Sequence, residues 1–263
     1  MTQKFMYGTD SNQFGELSLP EGPAEKKFPV VVSIHGGFWK DKYDHSDFTD
    51  LDKQLVANGL ATWNIEYRRV GPSGGGYPRT FEDVTNAVNY LTTLAKDHPL
   101  DLDRVVVIGH SAGGHLALWA ASRYQHQADE LGQPVQINFT GVVSMAGVTD
   151  LEAMWVDQQP LPMMKDIVPN FMGALPAEAP DRYRLASPID LVPIKTKTVL
   201  VHGTSDDKVP VELSQSYYQK AQAAGDSVQL VELPGVGHFD LIDGASPAWG
   251  AVKEAVNRLL DKE

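Results

Sequence analysis

Short runs of β-branched and aliphatic residues alternate along this chain with longer stretches in which apolar positions recur every three or four residues. Six runs read as strands: Pro29 to His35 (PVVVSIH), Leu60 to Tyr67 (LATWNIEY), Arg104 to Gly109 (RVVVIG), Thr140 to Ala146 (TGVVSMA), Thr198 to His202 (TVLVH) and Val228 to Leu233 (VQLVEL). Their nearly unbroken apolar character suits strands covered by helices on both faces. Between them Phe81, Val84, Ala87, Val88, Leu91 and Leu94 share one face of a predicted helix over 80–95, with Thr80 and Asp83 placed to cap its start. The same period runs through Gly114 to Tyr124, Val211 to Ala224 and Ala248 to Leu260, the last leading into Asp261, Lys262 and Glu263. Alternation of this kind predicts an α/β fold built on a mostly parallel central sheet.

Two segments break the alternation. Val70 to Pro78 (VGPSGGGYP) is a glycine-rich loop, without the GK[ST] ending that a phosphate cradle needs. Asp150 to Pro188 is a Pro- and Met-rich stretch between two predicted strands, read as a lid or cap-like insertion, with disorder as the competing explanation. A length of 263 residues fits a single domain, 1–263, with that insertion at about 150–188.

Hydrophobic residues at 42% and charged residues at 21% permit a large buried core. With 34 acidic residues against 22 Lys plus Arg, the net charge of -12 argues against nucleic acid or an anionic membrane as partner and leaves a small-molecule substrate. A homodimer is left open. Cysteine is absent, so catalysis falls to oxygen or nitrogen nucleophiles. Met1 to Asp10 lacks the apolar core of a signal peptide and no apolar stretch is long enough to span a bilayer, which makes the cytoplasm the expected compartment.

The candidate nucleophile is Ser111. Gly109-His110-Ser111-Ala112-Gly113 follows a predicted strand and precedes an apolar helix, the setting in which a GxSxG turn exposes a strained serine. Its neighbours two residues either side must be small because strand and helix backbones pass close together, and both are glycine. The Ala112 amide, at the start of the new helix, can donate to a developing oxyanion. A second turn, Gly36-Gly37-Phe38-Trp39, follows the strand ending at His35 and can bend backbone amides towards a substrate oxygen.

A serine hydroxyl needs an imidazole to take its proton and a carboxylate to orient that imidazole, met in this chain order as nucleophile, acid, base. Asp206, with Asp207 and Asp150 as alternatives, lies on a loop or turn after a predicted strand. His238 follows Pro234-Gly235-Val236-Gly237, a flexible loop able to swing an imidazole towards Ser111. The remaining histidines offer no spacing suited to zinc: His35 and His110 belong to motif turns, His115 to the helix after Ser111, and His45, His98, His126 and His202 read as structural or exposed.

Four motifs in this order resemble the serine esterases of the α/β-hydrolase superfamily. The His35-Gly36-Gly37 turn resembles the HGG oxyanion motif of esterases and lipases, and the resemblance assigns oxyanion donors to the amides of Gly37 and Phe38 together with Ala112. HGTSDDKVP, from His202 to Pro210, is similar to the HGxxDxxVP acid loop and places the acid at Asp206; the family pattern also marks His238 as base. HGGFW, with Glu66, Tyr67 and Arg68 after the next strand, looks like the kynurenine formamidase (arylformamidase) branch and its bacterial esterase relatives. The resemblance implies cleavage of a small ester or amide through an acyl-enzyme on Ser111, with no cofactor and no metal. A carboxylesterase leads, N-formylkynurenine cleavage is the alternative, and a prolyl-oligopeptidase-like peptidase or a catalytically dead binding protein trails.

Overall fold

The computed structural model describes residues 2–23, 26–124 and 127–260; His126 and the charged tail 261–263 lie outside them. Among the described residues eight strands form one sheet: β1 (Thr2–Met6), β2 (Phe14–Ser18), β3 (Phe28–Ile34), β4 (Ala61–Ile65), β5 (Leu100–His110), β6 (Gly141–Met145), β7 (Thr198–Gly203) and β8 (Val228–Leu233). Their spatial order is β1-β2-β4-β3-β5-β6-β7-β8, with β1 and β2 antiparallel to their neighbours and the others parallel.

All six predicted strands are present. The β1–β2 hairpin was not foreseen, because TQKFM and FGELS are short and half-polar, as befits an edge that faces water.

Side chains alternate across the sheet with period two. Val30, Val32, Ile34, Val105, Val107 and Val142 enter one apolar layer, while Val31, Val106, Ile108, Val143 and Val201 enter the other. Over the first layer lie α2 (Arg79–Asn89), α3 (Leu91–Leu94), α4 (Ala112–Ser122) and α8 (Val211–Ala223); over the second lie α1 (Thr49–Ala57) and α9 (Pro247–Leu260). Every residue of α4 is buried, which explains why its sequence is apolar all round rather than amphipathic.

The predicted helix over 80–95 is α2 followed by the single turn α3. Thr80 and Asp83 do not cap it. Helix α2 begins one residue earlier, at Arg79, the Thr80 hydroxyl donates to the Arg68 carbonyl (2.6 Å), and the Asp83 carboxylate accepts from the Arg68 backbone and guanidinium (2.7–2.9 Å). Chain leaving the sheet after β4 carries polar groups that need partners once buried, and these two side chains supply them.

Residues 150–188 are ordered as three short helices, α5 (Leu151–Gln158), α6 (Ile167–Met172) and α7 (Pro180–Ala186). Leu151, Met154, Ile167, Val168, Phe171 and Met172 join the core, whereas Val156 and Met163 face water. The glycine-rich loop tucks beneath this segment, where Tyr77 N–H donates to the Phe171 carbonyl (2.7 Å).

Candidate active site

Parallel strands that end at the same edge deliver their following loops to one place, and the candidate residues arrive there from β3, β5, β7 and β8. Ser111 joins β5 to α4 with φ 56° and ψ -119°, a left-handed conformation rare for a residue with a side chain. Its amide donates to the Met145 carbonyl (2.8 Å) and so the turn is fastened to β6. Closeness of the backbones accounts for both flanking glycines: a Cβ on Gly109 would lie 2.1 Å from the Gly113 oxygen, and one on Gly113 would lie 2.0 Å from the Ile34 oxygen.

The turn after β3 packs directly against Ser111. A Cβ on Gly36 would come within 2.7 Å of the His110 carbonyl and 3.2 Å of Ser111 Cβ. Left-handed backbone continues from Gly37 (φ 96°) through Phe38 (φ 55°) and Trp39 (φ 56°), two residues for which the sequence carries no glycine signal. Tertiary contacts hold them there. The Trp39 carbonyl accepts from Val70 N–H (2.7 Å), its indole N–H donates to His115 Nδ1 (3.3 Å), and its ring stacks on Phe171 at 4.3 Å.

Beneath this turn is a polar network absent from the sequence reading. His35 Nδ1 donates to the Gly36 carbonyl (3.0 Å), and its Nε2 lies 2.9 Å from Glu66 Oε1. Tyr67 stacks on the His35 ring at 4.4 Å and donates its hydroxyl to the His35 carbonyl (2.9 Å). Burial would raise the Glu66 carboxyl, but His35, His45 and Arg69 outweigh it and hold the group far below the usual carboxylate range. Glu66 and Tyr67 therefore support the turn from behind.

Asp206 lies after β7 with its side chain fully buried. One oxygen accepts from His238 Nδ1 at 2.7 Å and has His202 Nε2 at 3.3 Å; the other accepts from the amides of Lys208 (2.8 Å) and Val209 (2.9 Å). Burial pushes this carboxyl up, yet the bonds from His202 and His238 overcome it and keep it well below the ordinary value. His202 is a buried support for the acid loop, tied through Nδ1 to Ser214 Oγ (2.8 Å). Asp207 is exposed and paired with Lys208, and Asp150 caps α5 through Ala153 N–H (2.9 Å), so neither alternative carboxylate meets His238.

His238 and Ser111 line one small cavity with Gly37, Phe38, Tyr43, Asp47, His110, Phe239 and Ile242. Its free volume of about 20 Å³ accommodates roughly one water. Phe38 of the HGGFW turn is among these walls. Trp39, Met154 and Phe171 are core, and Met163 is 92% exposed. Tyr43, Phe239 and Ile242 were missed because no motif marks them.

Residues 16–221 match the model of the BD-FAE family. The chain belongs to the BD-FAE family. It is similar to Esterase LipC of Mycobacterium tuberculosis, at 30% identity over 92% of this chain and 61% of that protein. It is also similar to the acylamino-acid-releasing enzyme of Mus musculus, at 28% identity over 83% of this chain and 29% of the other. The chain thus spans about three fifths or less of the length of these relatives. In fold it matches Esterase B from Lactobacillus Rhamnosis with a TM-score of 0.82, 20% identity, and coverage of 98% of this chain and 84% of that one. With the sheet order above, this likeness identifies the architecture of this BD-FAE member as the α/β-hydrolase fold. Among the described residues no helix is long and apolar enough to cross a membrane.

Proposed function

We propose that this BD-FAE member is a carboxylesterase that cleaves small acyl or aryl esters through an acyl-enzyme on Ser111. The observation that carries the reading is the 2.7 Å bond from His238 Nδ1 to Asp206, which fixes a proton on Nδ1 and leaves Nε2 as the basic nitrogen in a cavity shared with Ser111. His238 Nε2 takes the Ser111 proton as Oγ bonds to the ester carbon, and the amides of Gly37, Phe38 and Ala112 hold the negative oxygen. Collapse breaks the bond to the leaving alkoxide, which receives that proton from His238. Water then repeats the sequence, releasing the acid and restoring the serine hydroxyl. The likeness to Esterase LipC supports the ester reading. The proposed compartment is the cytoplasm.

A panel of p-nitrophenyl acetate, butyrate and octanoate, run beside N-formylkynurenine and an N-acetylamino-acid anilide, tests this reading. Short esters are expected to give the highest kcat/KM, with activity and fluorophosphonate labelling both lost in Ser111→Ala. Preference for the formamide would move the chain to arylformamidase chemistry, to which HGGFW and Glu66-Tyr67-Arg68 bear a resemblance. Preference for the anilide would move it towards the acylamino-acid-releasing relatives. Full labelling of the Ser111→Ala protein would end the serine proposal.

A further inference from the structure

His110, the residue before Ser111, is buried, and its Nε2 lies 2.9 Å from the backbone carbonyl oxygen of His238. A carbonyl oxygen only accepts, so Nε2 carries the proton and donates. The two imidazoles approach to 4.4 Å between ring centres. Burial, reinforced by the neighbouring His238, lowers the His110 pKa to about 3, so this ring adds no charge beside an imidazole that must itself become charged during turnover.

The loop that carries His238 is otherwise moored to the acid loop. Ser205 N–H donates to the Val236 carbonyl (3.0 Å) and Gly235 N–H to Thr204 Oγ1 (3.0 Å), while the Asp206 carboxylate holds the His238 ring. These bonds set acid and base relative to one another, and none of them reaches the Ser111 turn directly. His110 supplies a bond across that gap, from the nucleophile turn to the base's own peptide.

Resting on the serine mechanism above, we propose that His110 is a positioning residue that fastens the His238 loop to the Ser111 turn and keeps base and nucleophile in register. A displacement of about 1 Å at a reacting group can cost on the order of 10²-fold in rate, which sets the scale of the effect.

The test compares His110→Ala, which removes the donor, with His110→Gln, whose amide nitrogen can take the place of imidazole Nε2. His110→Ala should lower kcat on p-nitrophenyl acetate by about 10²-fold with KM within about threefold, and His110→Gln should recover to within about tenfold of the parent. Retention of kcat within threefold in a folded His110→Ala protein overturns the proposal, as does His110→Gln no better than His110→Ala at matched Tm.

Nitrogen-15 spectra of the Ser111→Ala protein give a readout free of turnover: His110 should remain the neutral Nε2–H form from pH 8 to pH 5. An Nδ1–H tautomer with Nε2 unprotonated would refute the bond, and these spectra decide the matter if His110→Ala fails to fold. Activity retained by Ser111→Ala sinks the serine reading instead, a result that the His110 spectra do not share.

Discussion

Asp206 Oδ2 accepts the Nδ1 proton of His238 at 2.7 Å while the same carboxylate is held by two backbone amides and faces His202. Four partners fix the carboxylate, and the carboxylate fixes the tautomer of the imidazole. Asp206→Asn can turn its NH₂ towards His238 and stabilise the wrong tautomer. The expected loss is on the order of 10⁴-fold in kcat, with far-UV circular dichroism unchanged; a fall under tenfold would count against Asp206.

Gly37 is needed for two reasons. Its φ is 96°, and a Cβ there would sit 2.3 Å from Tyr43 Cβ. Gly37→Ala should displace the turn and cost kcat about 10² to 10³-fold, the scale of one lost oxyanion donor. Steady-state kinetics on p-nitrophenyl acetate, set beside a thermal melt showing a folded protein, would reveal whether the loss is catalytic.

Phe239, 54% exposed, is one wall of the small cavity beside Ser111. Phe239→Ala should raise kcat/KM for p-nitrophenyl octanoate relative to acetate by about tenfold, the worth of a modest gain in apolar fit. An unchanged octanoate-to-acetate ratio would place the acyl chain elsewhere.

Asp52, on the buried face of α1, accepts from Ser33 Oγ at 2.7 Å and has the Asn64 side chain beside it. Burial raises its pKa to about 7. Because the folded value exceeds the unfolded one, near 3.8, its contribution to stability is whole below about pH 4 and is lost as pH rises through 7. Asp52→Asn should therefore stabilise the protein at pH 8 by on the order of 1 kcal/mol, a Tm increase of about 2–4 °C, and give no such gain at pH 4. Melting curves at the two pH values test the sign directly.

Local chemistry was legible wherever it was periodic or punctuated. Six strands appeared as β-branched runs, and Gly109, Gly113, Gly36 and Gly37 marked places where backbone must pass close to backbone. The segment 150–188 escaped as helices because each is six to eight residues long and Pro-containing linkers interrupt the periodicity. Left-handed Phe38 and Trp39 escaped because contacts with Val70, His115 and Phe171 impose that conformation.

By itself, then, the sequence determined the α/β alternation and the glycine-flanked turn at Ser111, since these depend on neighbours a few residues apart. Only the tertiary structure decided that Asp206 rather than Asp207 or Asp150 meets His238, that His35 and Glu66 brace the Gly36 peptide, and that His110 grips the His238 carbonyl. Those choices rest on hydrogen bonds between groups up to 128 positions apart, whose partners exist only once parallel strands bring their ends to one edge.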